Sequence, residues 1–522
     1  MGNIDFITAA PSTPGAASSV DHRPRRPAAM ASQVASRPSV RFESGVKRKY
    51  KFLSALEQIN HDCVYNLKPS SASPGVACSA AYWAIPYASG GGGPVLVSKI
   101  DAVGKMEPTE APQRCVVGHK AAVHRCAFSP FDDGLLCTAS DDSYVKVFQV
   151  AGALEDRYCD VEATTVGAHA GGARELAWHP SAEGLLLSAG ASECCLWDVA
   201  SQKKIAGATV DAAVHAVEWS YDGATYLASC RDRTLRLFDA RTGAEGWRCE
   251  PHGGSRAFTA LWGGPGHAVL SAGSAQRGGR EVCLLDARKA SEGPVFRKLV
   301  DAQTGELMPV YDEDSSVLWV WGRGDTSAKH YEVDAAAATA ADAFDAGQDW
   351  RTASGAGPHC GVCALPKSAC DVMALEVIKF LRLTTTTVES VGFSVPRTAE
   401  LKEYFNDDLF RETRARMSSM DAESWAGGED APPVLASRRP SSNPPLLSER
   451  VVERKVLNTE LVNDRLSTEK QERDNDDAAM DNLSRLATQY EKFNVNRSMG
   501  AKPGVDAQVV DGGEVSDSEW DD

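Results

Sequence analysis

The feature that most constrains this chain is a strand ending that recurs at wide, regular intervals. Three stretches close alike: Asp142-Ser-Tyr-Val-Lys-Val-Phe148, Cys194-Cys-Leu-Trp-Asp198 and Asp232-Arg-Thr-Leu-Arg-Leu-Phe-Asp239. A weaker fourth runs Val282-Cys-Leu-Leu-Asp286. The aligned positions Phe148, Trp197, Phe238 and Leu285 stand 49, 41 and 47 residues apart. Between them, short apolar runs such as Leu135-Leu-Cys137 and Leu185-Leu-Leu187 alternate with Gly, Asp, Ser and Pro turns. That texture predicts many short strands and hairpins. A repeat of about 40–50 residues cannot bury its apolar face alone, so its copies must stack against one another.

The period, the ending and an upstream histidine together form the WD-repeat signature of propeller blades. Gly118-His119 lies 29 residues before Phe148, and His169 lies 28 before Trp197. In such blades a turn Asp and this His join a buried network with a strand hydroxyl and the Trp. Asp142 and Asp232 stand six residues before the Trp position, but Ala191 and Gly279 occupy that place in the other two repeats. Those repeats are therefore expected to lean more on strand packing than on polar bonds. His119, Asp142, His169, Trp197 and Asp232 are read as structural, not catalytic.

The flanks differ in composition. Residues 1–40 are rich in Ala, Ser and Pro, and carry Arg23, Arg25, Arg26 and Arg37. They bury too little apolar surface to offset chain entropy and are expected to be disordered, with a transit peptide as the alternative. Strand texture fills 41–396. Residues 397–435 are mixed, and 436–445 read as a Pro/Ser-rich linker. Helix formers dominate 446–495. The segment 496–522 is expected to be a disordered acidic tail, with seven acidic residues and no basic one from Asp506 onward.

The balance of 55 Lys+Arg against 71 Asp+Glu, a net charge of −16, argues against a nucleic-acid protein driven by bulk charge. No apolar run is long enough to span a membrane. Fourteen scattered cysteines do not suggest a disulfide scaffold and read as reduced, partly buried thiols of a cytoplasmic protein.

Collinear motifs over 45–436 resemble the coronin family. They include Gly118-His119 with Phe128-Ser-Pro-Phe-Asp-Asp133 and Ser140-Asp-Asp142. Ala177-Trp-His-Pro180 with Leu187-Ser-Ala-Gly190, and Leu307-Met-Pro-Val-Tyr-Asp312 with Gly322-Arg-Gly-Asp325, follow in order. Ser89-Gly-Gly-Gly-Gly93, Val395-Pro-Arg397, Asn406-Asp-Asp-Leu-Phe410 and Glu423-Ser-Trp425 complete the likeness. The resemblance implies an all-β protein: a seven-bladed WD-repeat β-propeller with a docked C-terminal extension, a short α-helical coiled coil and disordered termini. Residues near 65–115, 301–334 and 375–396 would supply the blades lacking a clear repeat ending, and a strand near Val46–Phe52 would close the ring. It further implies an actin-filament-binding protein of the actin cytoskeleton that regulates the branched-actin nucleating complex.

Filaments are acidic, so basic residues are the expected complement. The candidates are Lys47, Arg48, Lys49, Lys68, Arg231 and Arg233. Ala479, Leu483, Leu486, Tyr490 and Phe493 follow 4-3-4-3 spacing and are candidates for homo-oligomerisation, against a single amphipathic helix. The ending Glu519-Trp520-Asp521-Asp522 resembles the acidic segment of nucleation-promoting factors and is the candidate contact with the nucleating complex. Ser516 and Ser518, each with an acid three residues on, are candidate phosphorylation sites.

Two motifs are weighed and set aside. The run Gly90–Gly93 lacks the Lys-Ser/Thr and helix of a phosphate loop. His359, Cys360, Cys363 and Cys370 have zinc half-site spacing, but zinc needs a closed set of four ligands. No catalytic signature stands out, so no enzymatic activity, cofactor or metal is expected. The rival readings are a generic WD-repeat scaffold or substrate receptor, and a metal or redox protein built on Cys360–Cys370.

Overall fold

The computed structural model describes residues 49–56, 63–71, 75–88, 91–152, 161–352, 357–450, 480 and 483–486. Seven antiparallel sheets follow one another along the chain. In the first blade Ala77–Cys78, Tyr82–Pro86, Val95–Lys99 and Cys115–Val116 pair in that order. The second to fifth blades are four-stranded, and their innermost strands are Val123–Phe128, Ala173–Trp178, Val214–Trp219 and Thr259–Trp262. The sixth starts at Leu307–Asp312, and its third strand Ser327–Val333 pairs with both Phe344–Ala346 and Trp350–Arg351. The seventh contains Gly361–Ala364, Glu376–Leu383 and Thr387–Ser394.

The middle strands are apolar on both faces because each blade lies between two others. Val317–Gly322, reading Val-Leu-Trp-Val-Trp-Gly, is buried throughout, as is Leu185–Gly190. Period-2 alternation is therefore lost there, as expected for strands covered on both sides.

The seventh blade is completed by the other end of the chain. Cys63–Tyr65 pairs antiparallel with Thr387–Glu389, and Ser54–Ala55 pairs with Phe393–Ser394. Among the described residues the closing strands thus lie at 54–55 and 63–65, beyond the expected 46–52, of which 46–48 lie outside the described residues. Residues 49–52 form a turn in which Tyr50 is buried, donating its N–H to Glu332 at 2.6 Å and accepting from His330 Nε2 at 2.9 Å. Pairing across the two ends removes the open edges that would template aggregation. The expected last blade also began too late: its innermost strand is Gly361–Ala364, inside the run read as a zinc half-site.

Beyond the ring, residues 397–448 run back across one face. Phe405, Leu409 and Phe410 are buried with Trp319, Trp321, Phe380 and Phe393 of the last two blades. Met420–Asp421 pairs in parallel with Ala182–Glu183 of the third blade. The short helix Ala422–Ala426 follows, capped by Asp421 accepting from Ser424 N–H at 2.8 Å. It drives Trp425, 1% exposed, into the core of the third and fourth blades.

Residues 436–445 are not a free linker. Leu435–Ala436 pairs with Thr413–Arg414, Arg438 donates to Lys367 O at 3.1 Å, and Phe405 N–H donates to Pro445 O at 2.8 Å. Proline-rich sequence signals missing secondary structure, and here side chains and single backbone bonds hold the segment instead. The chain separates into compact units at Ser448/Glu449. In the second unit, residues 483–486 are helical, and Leu483 and Leu486 are exposed.

Candidate functional site

Each repeat carries a polar network beneath the face that holds the loops between second and third strands. In the second blade His119 Nδ1 lies 3.0 Å from Asp142 Oδ2, and its Nε2 lies 2.7 Å from Thr138 Oγ1. In the third, His169 Nε2 and Trp197 Nε1 both reach Ser188 Oγ at 2.6 Å. The acid absent at Ala191 is replaced by Glu193, two residues on, whose Oε1 lies 3.3 Å from His169 Nδ1. The fifth blade repeats this device. Gly279 is bare, and Glu281 Oε1 lies 2.9 Å from His252 Nδ1. A longer side chain thus reaches the same histidine from a later strand position, so these repeats keep an acid beside the histidine that the missing turn aspartate did not announce. In the fourth blade no histidine faces Asp232. The buried Arg236 takes its place, donating to Asp232 at 2.6 Å and also to Asp211.

These networks also supply the metal-like groupings among the described residues: His169, Glu193 and Cys195, and His252, Glu281 and Cys283. Each has a fixed cation in place, Lys204 at 3.7 Å from Glu193 and Arg297 at 3.3 Å from Glu281. Burial pushes the Cys195 thiol up to about 11 and the Cys283 thiol up to about 12. A protonated thiol beside an ammonium or guanidinium is a poor metal ligand. The half-site at 359–370 disperses. His359 accepts from Arg382 at 2.6 Å, and burial first and Arg382 second hold it at about 3. Cys363 lies 3.0 Å from Cys78 of the first blade, and Cys370 is buried elsewhere. The described glycines of the run, Gly91–Gly93, lie in a strand-to-strand loop between Tyr82–Pro86 and Val95–Lys99, with no helix after it.

The two faces of the ring sort the basic candidates. Arg231 and Arg233 sit in the loop between second and third strands of the fourth blade. Lys68 lies on the same face: its carbonyl accepts from Ala88, and the neighbouring Leu67 N–H donates to Thr386 O, both partners in equivalent loops. Arg233 pairs with Glu250 at 3.4 Å. Lys49 is on the opposite face, donating to Asp408 O of the extension at 2.9 Å. Lys47 and Arg48 lie outside the described residues.

That opposite face is occupied. The extension bonds to the second blade through Arg416–Asp133 and to the third through Ser419 N–H to Ser181 O. It reaches the fourth through Arg241, whose guanidinium covers the Trp425 ring at 4.6 Å and donates to Trp425 O. Arg414 pairs with Glu313 of the sixth at 2.7 Å. His179 sits at this junction, 5.5 Å from Trp425. Its Nδ1 accepts from Ser181 and Ala182 N–H, and its Nε2 donates to Gly223 O at 3.0 Å.

Ring and extension both have counterparts. Residues 110–149 and 202–239 match the WD domain, G-beta repeat model, and 388–433 match a further type of WD40 repeat. The solved WD40 domain of Toxoplasma gondii coronin superposes with a TM-score of 0.66 at 25% identity, covering 75% of this chain and 98% of that one. Dictyostelium discoideum Coronin-A is 29% identical over 396 residues, 74% of this chain and 85% of that protein. Human Coronin-2A is 28% identical over 361 residues, 67% of this chain and 66% of that protein. Over ring and extension the chain is coronin-like. Human Coronin-7 is 30% identical over 339 residues, and the match spans 34% of its length. The WD40-type match over 388–433 runs from the Thr387–Ser394 strand of the seventh blade into the docked extension.

Sequence reasoning missed Glu193, Glu281, Arg236, Arg280 and His179. For the two glutamates the signal was available: each precedes by two residues a cysteine at the same strand position, Cys195 and Cys283. The contact of His179 with Trp425 had no local signal, because 246 residues separate the two. Glu519, Trp520, Asp521, Asp522, Ser516, Ser518, Ala479, Tyr490 and Phe493 lie outside the described residues.

Proposed function

We propose that this coronin-like chain binds actin filaments through the face bearing Lys68, Arg231 and Arg233, and that its acidic C-terminal segment engages the actin-related-protein branched nucleation complex. The observation that carries the reading is the sorting of the basic candidates in a coronin-like ring. Three of them share the face that the extension leaves open, while Lys49 is tied to the extension. A rigid propeller presenting charged loops is a binding scaffold, and its charges complement an acidic polymer.

Cosedimentation tests it. Changing Lys68, Arg231 and Arg233 together to Glu should abolish most pelleting with filaments, and wild-type pelleting should weaken as salt rises. Lys49→Glu should pellet like wild type. Unchanged pelleting of the triple variant removes this face from the site. A wild-type chain that does not pellet at low salt favours the generic scaffold.

For the tail, a peptide of residues 506–522 should bind the nucleating complex mainly through Trp520, with the carboxylates of Glu519, Asp521 and Asp522 steering association. Trp520→Ala should cost about 30-fold, from about 2 kcal/mol for a buried aromatic anchor. Phosphate on Ser516 or Ser518 would add about −1.5 to −2 charges and strengthen contact with a basic surface. Equal binding by both peptides leaves a solubilising tail. Self-association through Ala479, Leu483, Leu486, Tyr490 and Phe493 is part of the same reading. The truncation that tests it belongs after Arg450, because Leu447 N–H bonds to Phe405 O and Leu446 packs on the ring. Light scattering should then fall from an oligomer to a monomer.

A further inference from the structure

On the open face, between the fourth, fifth and sixth blades, lies a cavity of about 600 Å³. Three arginines and one glutamate line it, in a chain whose net charge is −16. The glutamate, Glu306, is engaged by His215 at 3.0 Å and by Arg323 at 3.3 Å. The His215 hydrogen bond foremost holds its carboxyl below the usual range. The Arg231 and Arg256 guanidiniums make no hydrogen bond or ion pair of their own among the described residues. Concentrated, unpaired cations on an otherwise acidic protein call for an anionic ligand.

The third arginine is built in. Arg280 has a side chain only 4% exposed. Asp301 grips its Nε and Nη2 at 2.8 and 2.6 Å, and Asp325 accepts from Nη2 at 2.6 Å. Its Nη1 is buried with no partner. That nitrogen lies between Gly322 and Gly305: it is tight against Gly322 and 3.5 Å from where a Cβ would stand on Gly305 of the cavity wall. A buried guanidinium N–H left unbonded is costly, and a ligand oxygen would satisfy it. The rest of the wall combines glycine backbone and hydroxyls with the Gln276 and Gln303 amides, and Leu307 is its apolar part. Gly279 holds φ at +87°, where a Cβ would come within 2.5 Å of Asp301 O, so no side chain can fill this space. Ser255 and Thr304 complete it.

We propose that this cavity binds a phosphoryl group. Two free guanidiniums and one fixed, half-satisfied guanidinium exceed what a single carboxylate accepts, and they match a dianion with three terminal oxygens. The cavity is a site of a different kind from a helix-opened phosphate loop: fork-shaped side chains supply the donors. It shares Arg231 with the proposed filament-binding face but does not rest on filament binding, since Arg256 and Arg280 play no part in that reading.

The test is calorimetric titration of the full-length chain with inorganic phosphate, pyrophosphate and O-phospho-L-serine at constant ionic strength. At least one should bind with saturable heat. Arg256→Ala and Arg231→Ala should each weaken it about tenfold or more, while Arg288→Ala, on the fifth blade but outside the wall, should leave it unchanged. Neither wall guanidinium makes a hydrogen bond or ion pair among the described residues, and Arg231 acts on Glu306 only at longer range, so both variants should unfold close to the wild-type temperature, and that measurement is made alongside. Tighter binding of O-phospho-L-serine than of inorganic phosphate assigns the site to a phosphorylated side chain. Preference for pyrophosphate assigns it to a free phosphate compound. No saturable heat from any of the three, or full binding by the Arg256→Ala variant, overturns the proposal.

Discussion

The two faces of this propeller are built from the same kind of loop and do opposite work. On one, the loops between first and second strands are tied together by the extension, with Trp425 and Phe410 driven into the cores beneath. On the other, the loops end in exposed charge, and the buried polar groups stand a layer below, in the His–acid and arginine networks. The difference teaches where stability and recognition are kept apart. A face closed by buried aromatics is stabilised by apolar burial and cannot easily carry a partner site. A face whose folding depends on networks beneath it can vary its surface freely.

The largest effect that would break this contrast is at Trp425. Trp425→Ala should destabilise the protein by about 3–5 kcal/mol, the usual range for removing a fully buried tryptophan, read as a lower midpoint in chemical unfolding. A loss below about 1 kcal/mol would mean that the extension merely lies on the ring. Next comes the layer under the open face. Glu281→Ala leaves His252 and Arg297 without their acid, and should cost about 1–3 kcal/mol.

Acid should act first on the closed face. Burial holds His179 at about 4, below the 6.5 of a free imidazole. Between those values the folded state binds fewer protons than the unfolded chain. The contribution is therefore fully present above about pH 6.5 and is lost as pH falls toward 4. Protonation would also put a donor where Nδ1 now accepts from Ser181 and Ala182, beside the strand that pairs with the extension. His179→Gln should flatten the fall of the unfolding midpoint between pH 6.5 and 5.

Glu218 has the opposite sign. It faces the central cavity enclosed by the blades, and burial, opposed by Arg414 and Arg125, pushes it up to about 7. Its folded value lies above its unfolded one, so stability is present at low pH and is lost as pH rises through about 7. Glu218→Gln should raise the melting temperature at pH 8 and leave it unchanged at pH 4. The smallest effect belongs to the open surface. Arg231→Ala and Arg256→Ala should each shift stability by less than about 0.5 kcal/mol, and a larger shift would show that this face is not free of structural duty.

How much of this was legible differs by element. The repeat endings at Phe148, Trp197 and Phe238 located three blades, because each is a local strand pattern. The blade that begins at Gly361 was hidden, because its innermost strand is short and bears Cys363, whose spacing from Cys360 suggests a metal. Ring closure was placed near residue 50 instead of at 54–55 and 63–65, because a strand of two or three residues leaves almost no periodic signal. The basic candidates were legible as charges, yet nothing in their order along the chain says that Lys68 and Arg231 share a face and Lys49 does not.

By itself, then, the sequence determined the repeated four-stranded unit, the need to stack it and the coronin likeness, since these follow from patterns within about 50 residues. Only the tertiary structure decided which end of the chain completes the seventh blade, which acid reaches each histidine, where the extension docks and which arginines converge on one cavity. Those outcomes depend on closing a ring, which brings together residues such as Cys78 and Cys363, 285 positions apart. Local propensity carries no information about contacts that exist only once the last blade has met the first.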